Sequence, residues 1–292
     1  MVMKISGVYP EILVETSGQS PALKSAISQL VTGDQLDSDE FHNWCGILKE
    51  KPSRHRKLWE FTYIMQALHD HGMLSPGKNG LGFGVGQEPL AAAMADSGCG
   101  IIASDLAAED AREKGWIKTD QHASSLEQLN DRGICDSQLF RERVQFRPVD
   151  MNNLPPDLCH SRFDFIWSSC AFEHLGNLVL GLEFVKNSMH CLKPGGLAIH
   201  TTEYNLSSND RTISSGSVVL YRRKDIEGLV HQLRADGHQV EFNPHTGSSE
   251  IDRHFDIPPY SHGELHLKLL TGGRFITTSV GLIVRKSDQS NS

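Results

Sequence analysis

From residue 76 onward, short apolar runs alternate with amphipathic helical stretches. Before that point the clearest pattern follows Pro52 and Ser53, where apolar residues recur at helical spacing as far as His71 and Gly72. Residues up to about 51 show weak periodicity and are expected to form a loosely helical lead-in. The sequence therefore predicts a helical N-terminal cap over 1–75 and an α/β domain over 76–288.

The α/β part divides into seven predicted strands. They are 79–83, 100–104, 144–149, 163–168, 197–201, 239–242 and 275–285, with helices at 88–97, around 126–129, at 178–192 and at 224–236. The run 163–168 is mostly apolar, which is typical of a strand buried on both faces of a parallel sheet. We expect a doubly wound, mostly parallel seven-stranded sheet, with an irregular insertion at about 243–273.

Composition and charge narrow the class of protein. The chain has 292 residues, of which 38% are hydrophobic and 22% charged, and its net charge of −8 argues against nucleic-acid binding. Six scattered cysteines without a CxxC pair indicate reduced thiols in the cytoplasm. No secretory signal is evident, and no apolar stretch reaches the ~18 residues of a membrane span.

Glycines alternate between the first predicted strand and the Ala-rich helix that follows it. The run is Gly80-Leu81-Gly82-Phe83-Gly84-Val85-Gly86-Gln87-Glu88. Glycine permits a tight turn and a close backbone approach to a ligand, and the helix N-terminus offers free N–H groups. The spacing departs from the G-x-G-x-x-G of dinucleotide loops, and a tight turn without a ligand is the alternative.

Asp105 follows Gly86 by nineteen residues, at the end of the second predicted strand. An acid at this place can accept hydrogen bonds from both hydroxyls of a ribose. The alternative is a helix-capping aspartate.

Together with Asp150 after the third strand and the Lys193-Pro194-Gly195-Gly196 turn, the glycine loop and Asp105 resemble the class I S-adenosylmethionine-dependent methyltransferases. The resemblance is clear over 79–203 and weaker as far as 285. It implies an antiparallel last strand and a cofactor site in which the glycine loop passes under the methionine part, Asp105 holds the ribose and Asp150 meets the adenine. The cofactor-binding residues implied are Gly82, Phe83, Gly84, Gly86, Glu88, Asp105, Leu106, Asp150, Met151, Ser169 and Cys170.

One position departs from the family pattern. Many members carry an acid two residues before the first motif glycine, where this chain has Gly80. We expect another group, such as Glu88, to meet the ammonium of the cofactor.

Histidines and carboxylates follow the fourth and fifth strands. Methyl transfer requires an aligned and desolvated acceptor, and a hydroxyl acceptor also requires a base, for which histidine is well suited near neutral pH. We therefore take His174, His200 and Glu203 as candidate catalytic residues. For His200 the alternative is a hydrogen-bonded strand histidine.

The insertion at 243–273 is a candidate substrate wall, because long ordered loops are often functional. The candidate substrate-binding residues are Glu173, Tyr204, His254, Asp256 and His262. A divalent cation held by the insertion and Glu203 is a further possibility, although a polar loop without metal is favoured. The metal and the oligomeric state stay open.

The sequence thus predicts a methyltransferase that uses S-adenosylmethionine on a small polar acceptor, with O-methylation of a sugar, glycan or other hydroxylated metabolite preferred. Two alternatives are a nicotinamide-dependent oxidoreductase on the same architecture and a cofactor-binding module without catalysis. The glycine spacing disfavours the first, and Gly80 in place of the usual acid keeps the second open.

Overall fold

A computed structural model describes residues 9–106, 126–260 and 265–288. In this part of the chain the helices are α1 Gly33–Leu36, α2 Asp39–Ile47, α3 Arg56–Asp70, α4 Leu90–Asp96, α5 Ser137–Arg143, α6 Leu178–Ser188 and α7 Arg223–Ala235. The strands are β1 Ser28–Leu30, β2 Arg54–His55, β3 Asn79–Phe83, β4 Gly100–Asp105, β5 Val144–Pro148, β6 Phe163–Ser169, β7 Leu192–Asn205, β8 Gln239–Val240, β9 Phe242–Asn243, β10 Leu265–His266, β11 Leu269–Thr271 and β12 Phe275–Arg285.

One large sheet organises the molecule in the order β5-β4-β3-β6-β7-β12-β1-β9, with β8 and β11 also paired to β12. Strands β3 to β7 run parallel, and β12 runs antiparallel to both β7 and β8. The predicted doubly wound, mostly parallel sheet and its antiparallel last strand are therefore confirmed.

The number of strands differs from the prediction. The sheet has ten strands among the described residues rather than seven. Three short strands are added: β1 and β11 pair with β12, and β9 pairs with β1. The predicted strand at 239–242 is divided into β8 and β9. Strands of two or three residues carry too short a pattern to be recognised from the sequence.

Strand β7 is longer than predicted because it includes the Lys193-Pro194-Gly195-Gly196 segment. Leu192 pairs with Phe163 and Leu197 pairs with Phe165, so the four residues between Leu192 and Leu197 form a bulge. Gly195 has a φ of +69°, in the left-handed region that favours glycine.

Each face of the sheet carries its own hydrophobic core. Phe165, Trp167 and Ile199 pack against the face covered by α3 and α4, whereas Ile166 and Ala198 pack against the face covered by α6. Successive strand residues point to opposite faces, so odd-numbered positions of β7 after the bulge face α3 and even-numbered positions face α6. This parity decides where the candidate residues of β7 lie.

Helix α3 is buried along most of its length, including its polar residues Glu60 and Thr62. It begins at Arg56 with His55 as N-cap, whose Nδ1 accepts a hydrogen bond from the Lys57 amide. Strand β2, which precedes it, pairs in parallel with β10 of the insertion. The start of α3 and the insertion are therefore neighbours. No helix in the described residues is long and apolar enough to cross a membrane.

Candidate functional site

A cavity of about 310 Å³ opens where β3, β4, β5 and β6 end, beside the first turns of α3. Open α/β sheets bind ligands at this edge because the carboxyl ends of the parallel strands converge there. Nine of the implied cofactor residues line it: Gly84, Gly86, Glu88, Asp105, Leu106, Asp150, Met151, Ser169 and Cys170. The structure thus brings most of this set together.

The loop after β3 holds the Asp105 carboxylate at the cavity. Gly84 and Gly86 have φ values of +56° and +51°, which only glycine adopts without strain. This turn allows the Gly86 amide to donate to Oδ2 of Asp105 at 3.1 Å, while the Leu106 amide donates to Oδ1 at 2.7 Å. Two backbone N–H groups therefore fix the carboxylate in the position expected of a ribose acceptor.

Gly82 and Phe83 do not line the cavity. A Cβ atom on Gly82 would lie 2.4 Å from the Trp167 ring, so this glycine makes room for an aromatic side chain of the neighbouring strand. Phe83 packs edge-on against Phe184 on the opposite face of the sheet. Both residues have packing roles, contrary to the expectation that they form part of the cofactor site.

Gly80, like Gly82, makes room for an aromatic side chain of the neighbouring strand. Its Cβ would lie 2.3 Å from the Phe165 ring. The acid that many class I methyltransferases carry at this place would therefore collide with β6, and the charge it supplies must come from elsewhere.

Sequence reasoning missed a group of charged residues at the start of α3. Arg56, Lys57 and Glu60 reach the carboxyl ends of β6 and β7 and the amino-terminal half of β12, where Glu60 is fully buried. Glu60 accepts hydrogen bonds from Ser169 Oγ and Thr201 Oγ1, each at 3.2 Å, and its buried carboxylate is stabilised by both cations. The i, i+4 spacing of Arg56 and Glu60 was the one signal in the sequence, and the same spacing is typical of an exposed ion pair on a solvated helix face.

Glu203 belongs to this charged group. One oxygen of its carboxylate accepts a hydrogen bond from Nη2 of Arg56, and the residue does not line the cavity. Burial would lower the pKa of Arg56, but the charge of Glu203 holds it well above its ordinary value. Glu203 is therefore paired with a permanent cation, which does not fit the predicted catalytic role.

Lys57 lines the cavity and forms an ion pair with Glu88. Its Nζ lies 2.7 Å from Glu88 Oε1, 3.0 Å from Ser169 Oγ and 3.1 Å from the Ser169 carbonyl oxygen. Burial raises the pKa of Glu88 to about 7 even though Lys57 opposes the rise. The second oxygen, Oε2, is buried and has no hydrogen-bond partner among the described residues.

His174 lines the cavity. Its Nδ1 lies 2.7 Å from the Ser217 carbonyl oxygen, which can only accept, so Nδ1 carries the proton and Nε2 of a neutral ring carries the lone pair. Nε2 lies 4.0 Å from Oε1 of Glu173.

Glu173 itself is buried and does not line the cavity. Its Oε2 accepts from Thr202 Oγ1 at 2.9 Å, its Oε1 has no hydrogen-bond partner among the described residues, and burial raises its pKa. Its place beside the imidazole suits a role through His174 better than direct substrate binding.

His200 does not reach the cavity, and the prediction that it is catalytic is wrong. It occupies an even-numbered position of β7, so it faces α6 and packs edge-on against Phe172 and Phe184. Its Nδ1 is hydrogen-bonded to Ser168 Oγ at 2.8 Å, and burial lowers its pKa to about 3. His200 is the hydrogen-bonded strand histidine of the alternative interpretation.

Tyr204 also occupies an even-numbered position of β7, so it faces α6 and is separated from the cavity. It is buried on the α6 face and lines a second, smaller cavity together with Glu15 and Arg223. The prediction that it binds substrate at the cofactor cavity is therefore wrong.

The insertion residues lie in different surroundings. His254 is exposed, whereas Asp256 is buried and hydrogen-bonded to His266 Nδ1 at 3.0 Å. The His266 ring stacks on His55, at the start of α3. His262 lies outside the described residues. Within the described ranges no cluster of three or more metal-binding side chains occurs.

The cavity fits the parts of S-adenosylmethionine. Asp105 offers a fixed carboxylate for a ribose, and Leu106, Val149 and Met151 offer an apolar surface for a purine. Lys57 and Glu88 offer opposite charges, and Glu88 Oε2 is a buried acceptor without a hydrogen-bond donor among the described residues.

Comparisons with known proteins agree with the fold. The family model described as "Methyltransferase domain" matches residues 53–262. No curated protein matches the chain.

Solved structures similar to the chain include several methyltransferases. A Galdieria sulphuraria protein assigned as a sarcosine dimethylglycine methyltransferase is 14% identical, with a TM-score of 0.45, 87% of this chain covered and 100% of the other. The CurJ carbon methyltransferase is 13% identical, with a TM-score of 0.44 and coverage of 80% and 54%. Phosphoethanolamine N-methyltransferase 2 of Haemonchus contortus is 18% identical, with a TM-score of 0.42 and coverage of 69% and 44%. With TM-scores below 0.5, these similarities do not indicate the acceptor of this chain.

Proposed function

Because the chain belongs to the methyltransferase-domain family, we propose that it transfers the methyl group of S-adenosylmethionine to a hydroxyl oxygen of a small polar acceptor, such as a sugar or glycan. The observation that carries the proposal is the placement of His174 at the cavity, with Nδ1 held by a carbonyl oxygen and the lone pair on Nε2. A hydroxyl needs such a base, whereas a neutral amine attacks without one.

The cofactor supplies an electrophilic methyl group on its sulfonium. In the proposed site Asp105 accepts the ribose hydroxyls, and Leu106, Asp150 and Met151 hold the adenine. Gly84 and Gly86 bring the backbone close to the middle of the molecule. Residues near Glu88 bind the methionine end of the cofactor.

His174 takes the proton of the acceptor hydroxyl at Nε2. The imidazolium that forms is stabilised by Glu173, whose Oε1 is 4.0 Å away and buried. The Ser217 carbonyl fixes the ring, so little reorganisation accompanies proton transfer. Glu173 is thus a positioning and charge-stabilising residue that acts through His174.

The surroundings of the cavity favour a polar acceptor. The insertion is attached to the start of α3 through β10 and β2, and it brings Asp256, His266 and Tyr260 to that side of α3, outside the lining of the cavity itself. Carboxylates, imidazoles and phenols are the groups that recognise polyol hydroxyls. This supports a hydroxylated acceptor over an apolar one.

Product analysis tests the proposal. The purified protein is incubated with S-adenosylmethionine and separate panels of monosaccharides, oligosaccharides, polyols and amines, and the methylated atom is identified by mass spectrometry and NMR. We expect methyl ethers, and we expect His174→Ala to lower kcat about 10²–10⁴-fold with little change in cofactor affinity. Methylamine products together with an unchanged rate in His174→Ala would overturn it.

A further inference from the structure

Lys57 and Glu88 come from different elements and meet at the wall of the cavity. Lys57 lies in the first turn of α3, and Glu88 precedes α4. Their side chains are 34% and 10% exposed, and Nζ and Oε1 are 2.7 Å apart. Sequence reasoning pointed to Glu88 alone, and nothing in the first-motif position at Gly80 can supply a charge.

We propose that Lys57 and Glu88 together form the subsite for the amino-acid end of the cofactor, with Glu88 on its ammonium group and Lys57 on its carboxylate. The inference rests on the proposed use of S-adenosylmethionine. It assigns the binding of the two charged groups to Glu88, which precedes α4, and to Lys57 at the start of α3, rather than to the strand that precedes the glycine loop.

The hydrogen-bond inventory supports the assignment to Glu88. Its Oε2 is buried without a hydrogen-bond partner in the described part of the chain, and a buried carboxylate oxygen left in this way is costly. An ammonium ligand supplies the missing donors. The adjacent Ser169 hydroxyl helps to stabilise the Glu88 carboxylate, but it also accepts from Lys57 and donates to Glu60, and Oε2 keeps no geometric hydrogen-bond partner among the described residues.

Charge balance supports the assignment to Lys57. Lys57 lies near two carboxylates, Glu88 at 2.7 Å and Glu60 at 3.6 Å, and Glu60 stays beside it whatever Glu88 contacts. The Lys57 ammonium can therefore turn toward a ligand carboxylate while the negative charge of Glu60 still balances its positive charge. A zwitterion carries the same two charges as the Lys57–Glu88 pair, so it can insert between them in alternating order.

Other residues of the cavity form its nucleoside side, which leaves the side next to α3 for the amino-acid end of the cofactor. Asp105 is the last residue of β4, and Asp150 and Met151 follow β5, so these residues form the nucleoside side of the cavity. Lys57, Phe61 and Glu88 form the side next to α3.

Calorimetric binding with ligands that lack one charge at a time tests the inference without any turnover. The probes are S-adenosylhomocysteine with both charges, its decarboxylated analogue S-adenosyl-3-thiopropylamine with the ammonium only, and 5′-methylthioadenosine with neither. The variants are Glu88→Gln, Lys57→Gln and the charge-balanced double variant, with Asp105→Asn as the control for the nucleoside side.

We expect Glu88→Gln to weaken S-adenosylhomocysteine and the decarboxylated compound at least tenfold, and Lys57→Gln to weaken S-adenosylhomocysteine at least tenfold but the decarboxylated compound far less. Methylthioadenosine binding should change less than twofold in both, whereas Asp105→Asn weakens all three probes. If a single variant fails to fold, the double variant keeps the site neutral and should bind methylthioadenosine like the wild type but S-adenosylhomocysteine at least tenfold more weakly.

Equal weakening of all three probes by the Lys57 and Glu88 variants would overturn the inference, because it would mean that the pair only shapes the cavity. Failure of the folded wild type to bind any of the three would instead reject the cofactor assignment on which the inference rests. The two failures are therefore distinguishable.

Discussion

The Glu88 carboxyl group is 10% exposed beside the cavity, and its burial raises its pKa from 4.5 to about 7. A carboxyl whose pKa is higher in the folded state than in the unfolded state favours folding most when it is protonated. Its contribution to stability is therefore complete below pH 4.5, falls between pH 4.5 and about 7, and is constant above that.

The magnitude follows from the two pKa values. A difference between 4.5 and about 7 corresponds to about 3 kcal/mol of unfolding free energy, with a slope of at most about 1.4 kcal/mol per pH unit. Glu88→Gln removes this titration. The free energy of unfolding of the variant relative to wild type should therefore rise by about 3 kcal/mol between pH 4.5 and pH 8.

Urea unfolding at pH 5, 6, 7 and 8, followed by circular dichroism, measures this difference. The pH slope is the decisive quantity, because the charge interaction with Lys57 is already contained in the pKa of Glu88, whereas losses of packing shift all points of the variant by the same amount. Glu183→Gln on the exposed side of α6 is the matched control and should stay within about 0.5 kcal/mol of wild type at every pH. A pH-independent difference for Glu88→Gln would refute the reasoning.

Three further substitutions test the packing and the corrected assignments. His200→Leu should cost about 1–3 kcal/mol, because it leaves the buried Ser168 hydroxyl without its partner, yet kcat per folded molecule should match wild type; a large loss of kcat with intact cofactor binding would restore a catalytic role. Gly82→Ala should destabilise by at least about 1–3 kcal/mol in denaturant unfolding, since the new methyl group meets the Trp167 ring, and a neutral effect would contradict the packing described. Gly228→Ala is its control on the exposed face of α7, with open space around it, and should stabilise by up to about 1 kcal/mol.

The parts of the site that the sequence predicted depend on local patterns. Apolar runs located the parallel strands, and the carboxyl ends of such strands converge at one edge of a sheet. Asp105 was placed at the site from its position at a strand end, and the resemblance to class I methyltransferases implied Asp150 and Ser169; all three line the cavity. The glycine loop was recognisable because Gly84 and Gly86 need positive φ values.

The parts that were missed or misplaced depend on contacts between distant segments. Gly80 and Gly82 look like ligand-binding glycines, but they are explained by Phe165 and Trp167 on the neighbouring strand. His200 was misassigned because the side that each residue of β7 faces depends on the bulge at its start, which the sequence pattern did not reveal.

The charged start of α3 shows the same limit. Arg56, Lys57 and Glu60 have the pattern of a solvated helix face, and only the packing of α3 against β6, β7 and β12 buries them. Their partners Glu88, Ser169 and Glu203 are distant in sequence. Such a group cannot be assembled from periodicity alone.

Calorimetric binding of S-adenosylmethionine and S-adenosylhomocysteine to the purified chain is the most direct test of the central claim. NADH and NADPH serve as controls, and an Asp105→Ala variant is measured alongside. We predict micromolar binding of both sulfur compounds that weakens at least tenfold in the variant, with no binding of the nicotinamide cofactors. Absence of binding of both sulfur compounds to folded protein, or equal affinity in the variant, would contradict the site described.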